Sequence, residues 1–405
     1  MRNIFAAVVG GTAFALALGI APLSAQETIK IGVALELSGR FVSFGAYCKT
    51  GVEYAAEQFG DKVAGRKVEF LYRDLQSEAP STVSAFTELV SQSKVNYIIG
   101  PTASPIAAAA IGPWRAGKPI WIVPGASTTT MEKEVGAEPN FFHTFPYAYH
   151  YQATLSAAFK HYLGSDKRVA ILYVDDAYGR THQPLARKYF TAAGFQIVDE
   201  EIIRTNSPDM NPVLTKIARS KPDILLGLIQ TTDAVTLAKQ VYTRNLKIPY
   251  LVGAASTQQK EWQDAVGEAQ EGWIGLGTYL PNLVNWPANK DYPKALPSTV
   301  EWEKNFVAKF KREPNYDDLT CYVNTIQLLI AIDKAGGDDK EKVSAELAKL
   351  DIASPMGSTK FTKTEGGTLN QAFSDMLVFQ RHDNKNVLLY PLSVAGNNKI
   401  LKAPH

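Results

Sequence analysis

The chain has 405 residues, with 42 Lys and Arg against 40 Asp and Glu, a formal charge of +2. A balance this even, without basic runs, excludes nucleic acid as a partner. The length exceeds what one compact core accommodates, so two domains are expected.

Residues 1–25 read as a secretory signal peptide. Met1-Arg2-Asn3 is a short basic start, Ile4 to Ile20 is apolar, and Leu23-Ser24-Ala25 precedes polar Gln26-Glu27. Cleavage is expected after Ala25. The alternative is an uncleaved anchor, although the apolar stretch is near the lower limit for spanning a bilayer. Thr28–Leu35 alternates and is rich in Ile and Val, a strand, and Ala46–Phe59 has helical apolar spacing. Lys67–Tyr72 (strand), Pro80–Ser91 (helix), Tyr97-Ile98-Ile99 (strand), an Ala-rich helix from Pro105 and Pro119–Val123 (strand) continue the rhythm. It restarts with a helix ending at Lys160-Tyr162 and a strand at Arg168–Val174. Then come Thr181–Ala193 (helix), Phe195–Arg204 (strand), Pro212–Ser220 (helix), Asp223–Leu228 (strand), Ala234–Arg244 (helix) and Pro249–Val252 (strand). Such alternation argues two α/β units, each a parallel sheet with helices on both faces.

Phe141–Tyr151 is aromatic, contains Pro146 and lacks Gly/Ser runs, so it reads as a crossing between lobes. Gly272–Tyr279 reads as a second crossing, and a third is placed near Ala372. Between them Ser298–Phe310, Leu319–Ala335 and Lys340–Leu350 are helices, and Pro281–Pro297 is loop by composition. Phe373–Phe379 and Val387–Val394 are the last strands. The lobes are then 26–146 plus 280–372 and 147–279 plus 373–405.

Three strand-to-helix junctions carry the chemistry: Leu35-Glu36-Leu37-Ser38-Gly39 running on to Phe44-Gly45, Gly100-Pro101-Thr102-Ala103-Ser104-Pro105, and Pro124-Gly125-Ala126-Ser127. Each ends in small residues that bring backbone N–H groups to a helix start, a setting that suits a carboxylate. No G-x-S-x-G elbow and no G-x-G-x-x-G fingerprint occurs, which argues against a hydrolase or a dinucleotide enzyme. Two cysteines and six scattered histidines give no metal-ligand spacing, and no cofactor is expected. In an exported protein Cys48 and Cys321 can pair across a long loop; two buried thiols are the alternative.

The ordered segments SGRFVSFG, IIGPTASPIA, PIWIVPGAS, VAILYVDDAYGR and KPDILLGLIQTTDAVTLAKQ resemble the leucine/isoleucine/valine-binding-protein family. The resemblance covers nearly the whole mature chain. It implies a type I periplasmic receptor of an ABC importer: two Rossmann-like lobes, three crossings, hinge closure on a ligand and no catalysis. It also implies a periplasmic, Gram-negative setting, a membrane permease as partner and a monomer. Ser104 and Ser127 match positions that hold a ligand carboxylate, with Ala103, Gly125 and Ala126 offering backbone groups beside them. Phe44 matches an aromatic wall, Tyr178 the aromatic brought down by the second lobe, and Gln230 (or Thr231) a further wall position.

Amino-acid binders of the family hold the ligand ammonium with acidic residues of the second lobe. This chain has Ala148 and Ala254-Ala255-Ser256 at those places. A buried ammonium without a counter-charge is costly. With Phe44, Tyr147, Tyr149, Tyr151 and Tyr178 around the expected cleft, the ligand is expected to be an aromatic acid of benzoate or hydroxycinnamate type. A branched-chain amino acid is the alternative, as is a sensory role. Plainer roles stand beside each candidate. Ser104-Pro105 is a good helix start, Ser127 a turn residue, Phe44 loop packing and Tyr178 a brace for its own turn. Arg180 can neutralise a carboxylate bidentately, or be a solvated helix-start residue. Tyr147 is ligand wall or hinge core.

Overall fold

The computed structural model describes residues 28–404, so the expected leader lies outside it. Strand β1 (Ile29–Leu35) is buried except at Lys30, as a central strand covered on both faces must be. After it come α1 (Val42–Phe59), β2 (Lys62–Val63), β3 (Arg66–Asp74), α2 (Ala79–Thr87), β4 (Tyr97–Ile99), α3 (Ser104–Trp114), β5 (Ile120–Val123), α4 (Thr129–Val135) and β6 (Phe141–His143). A second run comprises α5 (Ala148–Leu163), β7 (Arg168–Val174), α6 (Ala177–Ala192), β8 (Gln196–Ile203), α7 (Asn211–Arg219), β9 (Ile224–Leu228), α8 (Thr231–Thr243), β10 (Tyr250–Ala254), α9 (Lys260–Val266) and β11 (Trp273–Gly277). The remainder is α10 (Thr299–Phe310), α11 (Tyr316–Ala335), α12 (Lys340–Ala348), the hairpin β12 (Asp351–Ser354) and β13 (Gly357–Lys360), then β14 (Asn370–Gln371), β15 (Leu377–His382) and β16 (Lys385–Tyr390).

Two seven-stranded sheets result, in the orders β14-β6-β5-β4-β1-β3-β2 and β16-β15-β11-β10-β9-β7-β8. Most pairings are parallel; β2 in the first sheet, and β15 and β16 in the second, are antiparallel additions at the edges. The chain passes between the sheets three times: after β6, after β11 and after β14. This is the two-lobed, three-crossing α/β architecture that the βαβ rhythm and the family resemblance implied.

Two of the expected crossings are displaced. Phe141–His143 is strand β6 of the first sheet and α5 begins at Ala148, so the passage is confined to 144–147. Trp273–Gly277 is the fully buried strand β11, and the second passage starts after it. Runs this short carry too little periodicity to separate strand from connection.

Helix α11 is buried over most of its length and packs on α1. Their approach is so close that a Cβ on Gly51 would lie 2.2 Å from the Asp318 carbonyl oxygen. Cys48 on α1 and Cys321 on α11 form a disulfide there, closing a sequence separation of 273 residues. Trp114 and Trp121 are fully buried core, 5.6 Å apart between ring centroids.

Candidate ligand cleft

The loops after β1, β4 and β5 meet on one side of a narrow space of about 10 Å³, room for about one water, so a ligand enters when the lobes part. Strands of parallel sheets direct their C-terminal ends to such crevices because the helix N-termini gather there. Of the expected residues, Phe44, Ser104, Gly125, Ala126, Ser127 and Gln230 line this space. Gly125 is needed for shape: a Cβ there would sit 2.3 Å from the Thr102 carbonyl oxygen.

The backbone donors expected to grip a carboxylate are largely spent inside the protein. Glu36 is fully buried and accepts from the Ala103 N–H (2.9 Å), the Thr102 N–H (3.2 Å) and the Thr102 hydroxyl (2.9 Å). The chain thus places its own acid at the start of α3. Burial raises the Glu36 carboxyl above the usual range, against the lowering effect of these bonds. The Ala126 N–H donates to the Thr102 carbonyl at 2.6 Å. Ala103 is therefore a cap position whose N–H is occupied, correcting the expectation that it serves the ligand.

What stays open on this side is hydroxyl chemistry. The Ser104 Oγ is buried and has no hydrogen-bond partner among the described residues. Ser127 receives a bond from across the cleft. The Gln152 side-chain amide donates to His182 Nδ1 (3.0 Å), so the imidazole hydrogen sits on Nε2 and donates to Ser127 Oγ (2.7 Å). The Ser127 O–H is left to donate to a ligand. Burial pulls the His182 pKa down to about 3, keeping the ring neutral.

His182 belongs to a set of contacts that tie the two lobes across the cleft. Arg40 pairs with Asp176 at 3.0 Å, Ser43 bonds Gln259 at 3.2 Å, Tyr47 donates to Glu261 at 2.8 Å, and Thr128 meets Thr181 at 2.8 Å. Asp176 is also the N-cap of α6, accepting from the N–H groups of Tyr178 and Gly179.

The other expectations divide. Tyr178 is buried with an unpartnered hydroxyl, its ring 4.1 Å from that of His182. Tyr151 lines the cleft, with Phe145 and Tyr316. Tyr147 does not: it stacks on His143 at 4.0 Å and bonds Thr368, which makes it hinge core. Arg180 does not reach the cleft either; it is 65% exposed and pairs with Asp175 at 2.5 Å. A helix-start arginine one turn from its own acid finds that partner at less entropic cost than a distant ligand.

One group was not anticipated. Ala255 does line the second-lobe side, yet the cleft still has a carboxyl, because Asp317 reaches it from the first turn of α11. Asp317 is 1% exposed and its Oδ2 is unpartnered. Burial, with Asp318 and Glu36 nearby, pushes its carboxyl well above the usual range. The nearby Arg312 guanidinium is spent on Asp318, with two bonds of 2.7 Å. A sequence signal for this region existed: Asn315 and Asp318 form a capping box that starts α11 three residues earlier than the apolar spacing suggests.

Two hinged lobes around an enclosed, ring-lined cleft with open polar groups define a solute-binding receptor. Residues 28–385 match the periplasmic binding protein family, and the chain belongs to it. It is 25% identical over 393 residues to the Leu/Ile/Val-binding protein homolog 7 of Brucella melitensis, covering 94% of this chain and 95% of that one. A leucine-binding protein of Thermotoga maritima superposes with a TM-score of 0.77 at 21% identity, over 89% of this chain and 97% of that one. An ABC-transporter solute-binding protein of Rhodopseudomonas palustris, solved with benzoate, gives 0.76 at 24% identity, over 90% and 96%. The protein is thus a non-enzymatic receptor of the ABC-transporter type, in a family that binds small ligands and works with membrane permeases.

Proposed function

We propose that this chain is the periplasmic, monomeric receptor of an ABC importer for a small aromatic carboxylic acid. The observation that carries the reading is the pairing of two open hydroxyl donors, Ser104 and Ser127, with rings from both lobes around one enclosed space. Hydroxyl donors suit a carboxylate; Phe44, Phe145, Tyr151 and Tyr316 suit a flat body. The benzoate complex of the R. palustris relative supports the choice of ligand. The lobe boundaries are placed in the three passages, giving 26–146 plus 280–372 and 147–279 plus 373–405. Closure brings Tyr178 and His182 over the ligand and creates the surface a permease reads.

The second reading, an amino-acid ligand, is favoured by Asp317, whose carboxylate can face an ammonium. A thermal-shift screen separates the two. Stabilisation by benzoates or hydroxycinnamates, and none by leucine, isoleucine or valine, is expected. Stabilisation by the amino acids alone overturns the aromatic reading.

A further inference from the structure

The cleft holds three unpartnered polar atoms on its lining residues: Ser104 Oγ, Gln230 Oε1 and Asp317 Oδ2. A carboxylate bound by Ser104 and Ser127 uses the first. Two acceptors remain, and they need a donor on the ligand, because a buried oxygen without a partner costs free energy. On an aromatic acid that donor is a ring hydroxyl, which satisfies one of the two.

We propose that Asp317 is the specificity residue of the cleft, hydrogen-bonding a hydroxyl carried on the ring of a small aromatic acid whose carboxylate is held by Ser104 and Ser127. The proposal rests on the aromatic-acid reading above and deepens it. Selection then favours hydroxylated over unsubstituted acids, since an analogue lacking the hydroxyl leaves the Asp317 Oδ2 unpaired in the closed cleft.

The test is titration calorimetry of benzoate, 3-hydroxybenzoate and 4-hydroxybenzoate on the wild-type chain, Asp317→Asn and Asp317→Ala. At least one hydroxybenzoate is expected to bind wild type about tenfold or more tighter than benzoate. In Asp317→Ala that preference falls to within about threefold, because hydroxybenzoates lose their partner and benzoate no longer strands a buried oxygen; far-UV circular dichroism reports an intact fold. Asp317→Asn, still able to accept a hydrogen bond, keeps most of the preference. Equal wild-type affinities for all three acids refute the role of Asp317 and leave the aromatic-acid reading standing. Tight binding of leucine or phenylalanine that Asp317→Asn abolishes overturns both, and makes Asp317 a counter-charge. Binding of none of the acids refutes the ligand class, and the inference with it.

Discussion

Arg40 is the cation that crosses the cleft, and removing it should open the receptor. Its guanidinium is 3.0 Å from Asp176, with side chains 18% and 8% exposed. A charge-assisted bond in such a partly buried place contributes about 1.5–3 kcal/mol. Arg40→Gln leaves Asp176 with its capping bonds to Tyr178 and Gly179, so the carboxylate is not orphaned and the lower figure applies. About 1.5 kcal/mol corresponds to roughly a tenfold shift of the closed–open ratio, and ligand affinity should fall in proportion to the closed fraction lost, up to about that factor. Asp176→Asn keeps a good N-cap for α6 and removes the charge, so it should lose about as much. The assay is a double-mutant cycle read by calorimetry with the tightest acid from the screen, alongside small-angle scattering of the ligand-free protein. The two losses should fail to add, with a coupling energy of about 1 kcal/mol or more, and Arg40→Gln should show the larger radius of gyration. Additive losses and an unchanged radius would show that the pair follows closure rather than stabilising it.

The bond between Cys48 and Cys321 closes a separation of 273 residues and ties α1 to α11. On the chain-entropy account, replacing both cysteines by alanine should cost the first lobe up to about 5 kcal/mol, seen as a lower urea midpoint. An unchanged midpoint would put the stability in the α1–α11 packing alone. Acid should weaken the closed form through His182, whose pKa is pulled down to about 3 in the fold. A base with a depressed folded pKa is stabilising above its unfolded value near 6.5, and that contribution is lost as pH falls below it. Between pH 7.5 and 5 the loss from this ring is about 2 kcal/mol. Urea titration of wild type and His182→Gln should show their stability difference changing by that amount over the interval, in favour of the variant at pH 5. A difference that does not move with pH would mean His182 is solvated in the fold.

The two-unit α/β architecture was legible in the chain because strand and helix periodicities are local. Val33, Ile98 and Ile122 mark their strands through their immediate neighbours. The junctions at Phe44, Ser104 and Ser127 were legible for the same reason: small residues after an apolar run end a strand and begin a helix. Local patterning could not report which polar atoms stay free once the chain folds. The Ala103 N–H looks available in sequence, yet Glu36, 67 residues away, takes it. Arg180 looks poised for an anion, yet Asp175 holds it in solvent. Asp317 and His182 reach the cleft only because α11 packs on α1 and because the second lobe swings over the first. Hydrogen-bond satisfaction, burial and the pairing of Cys48 with Cys321 depend on contacts between residues far apart in the chain, so only the tertiary structure decided them.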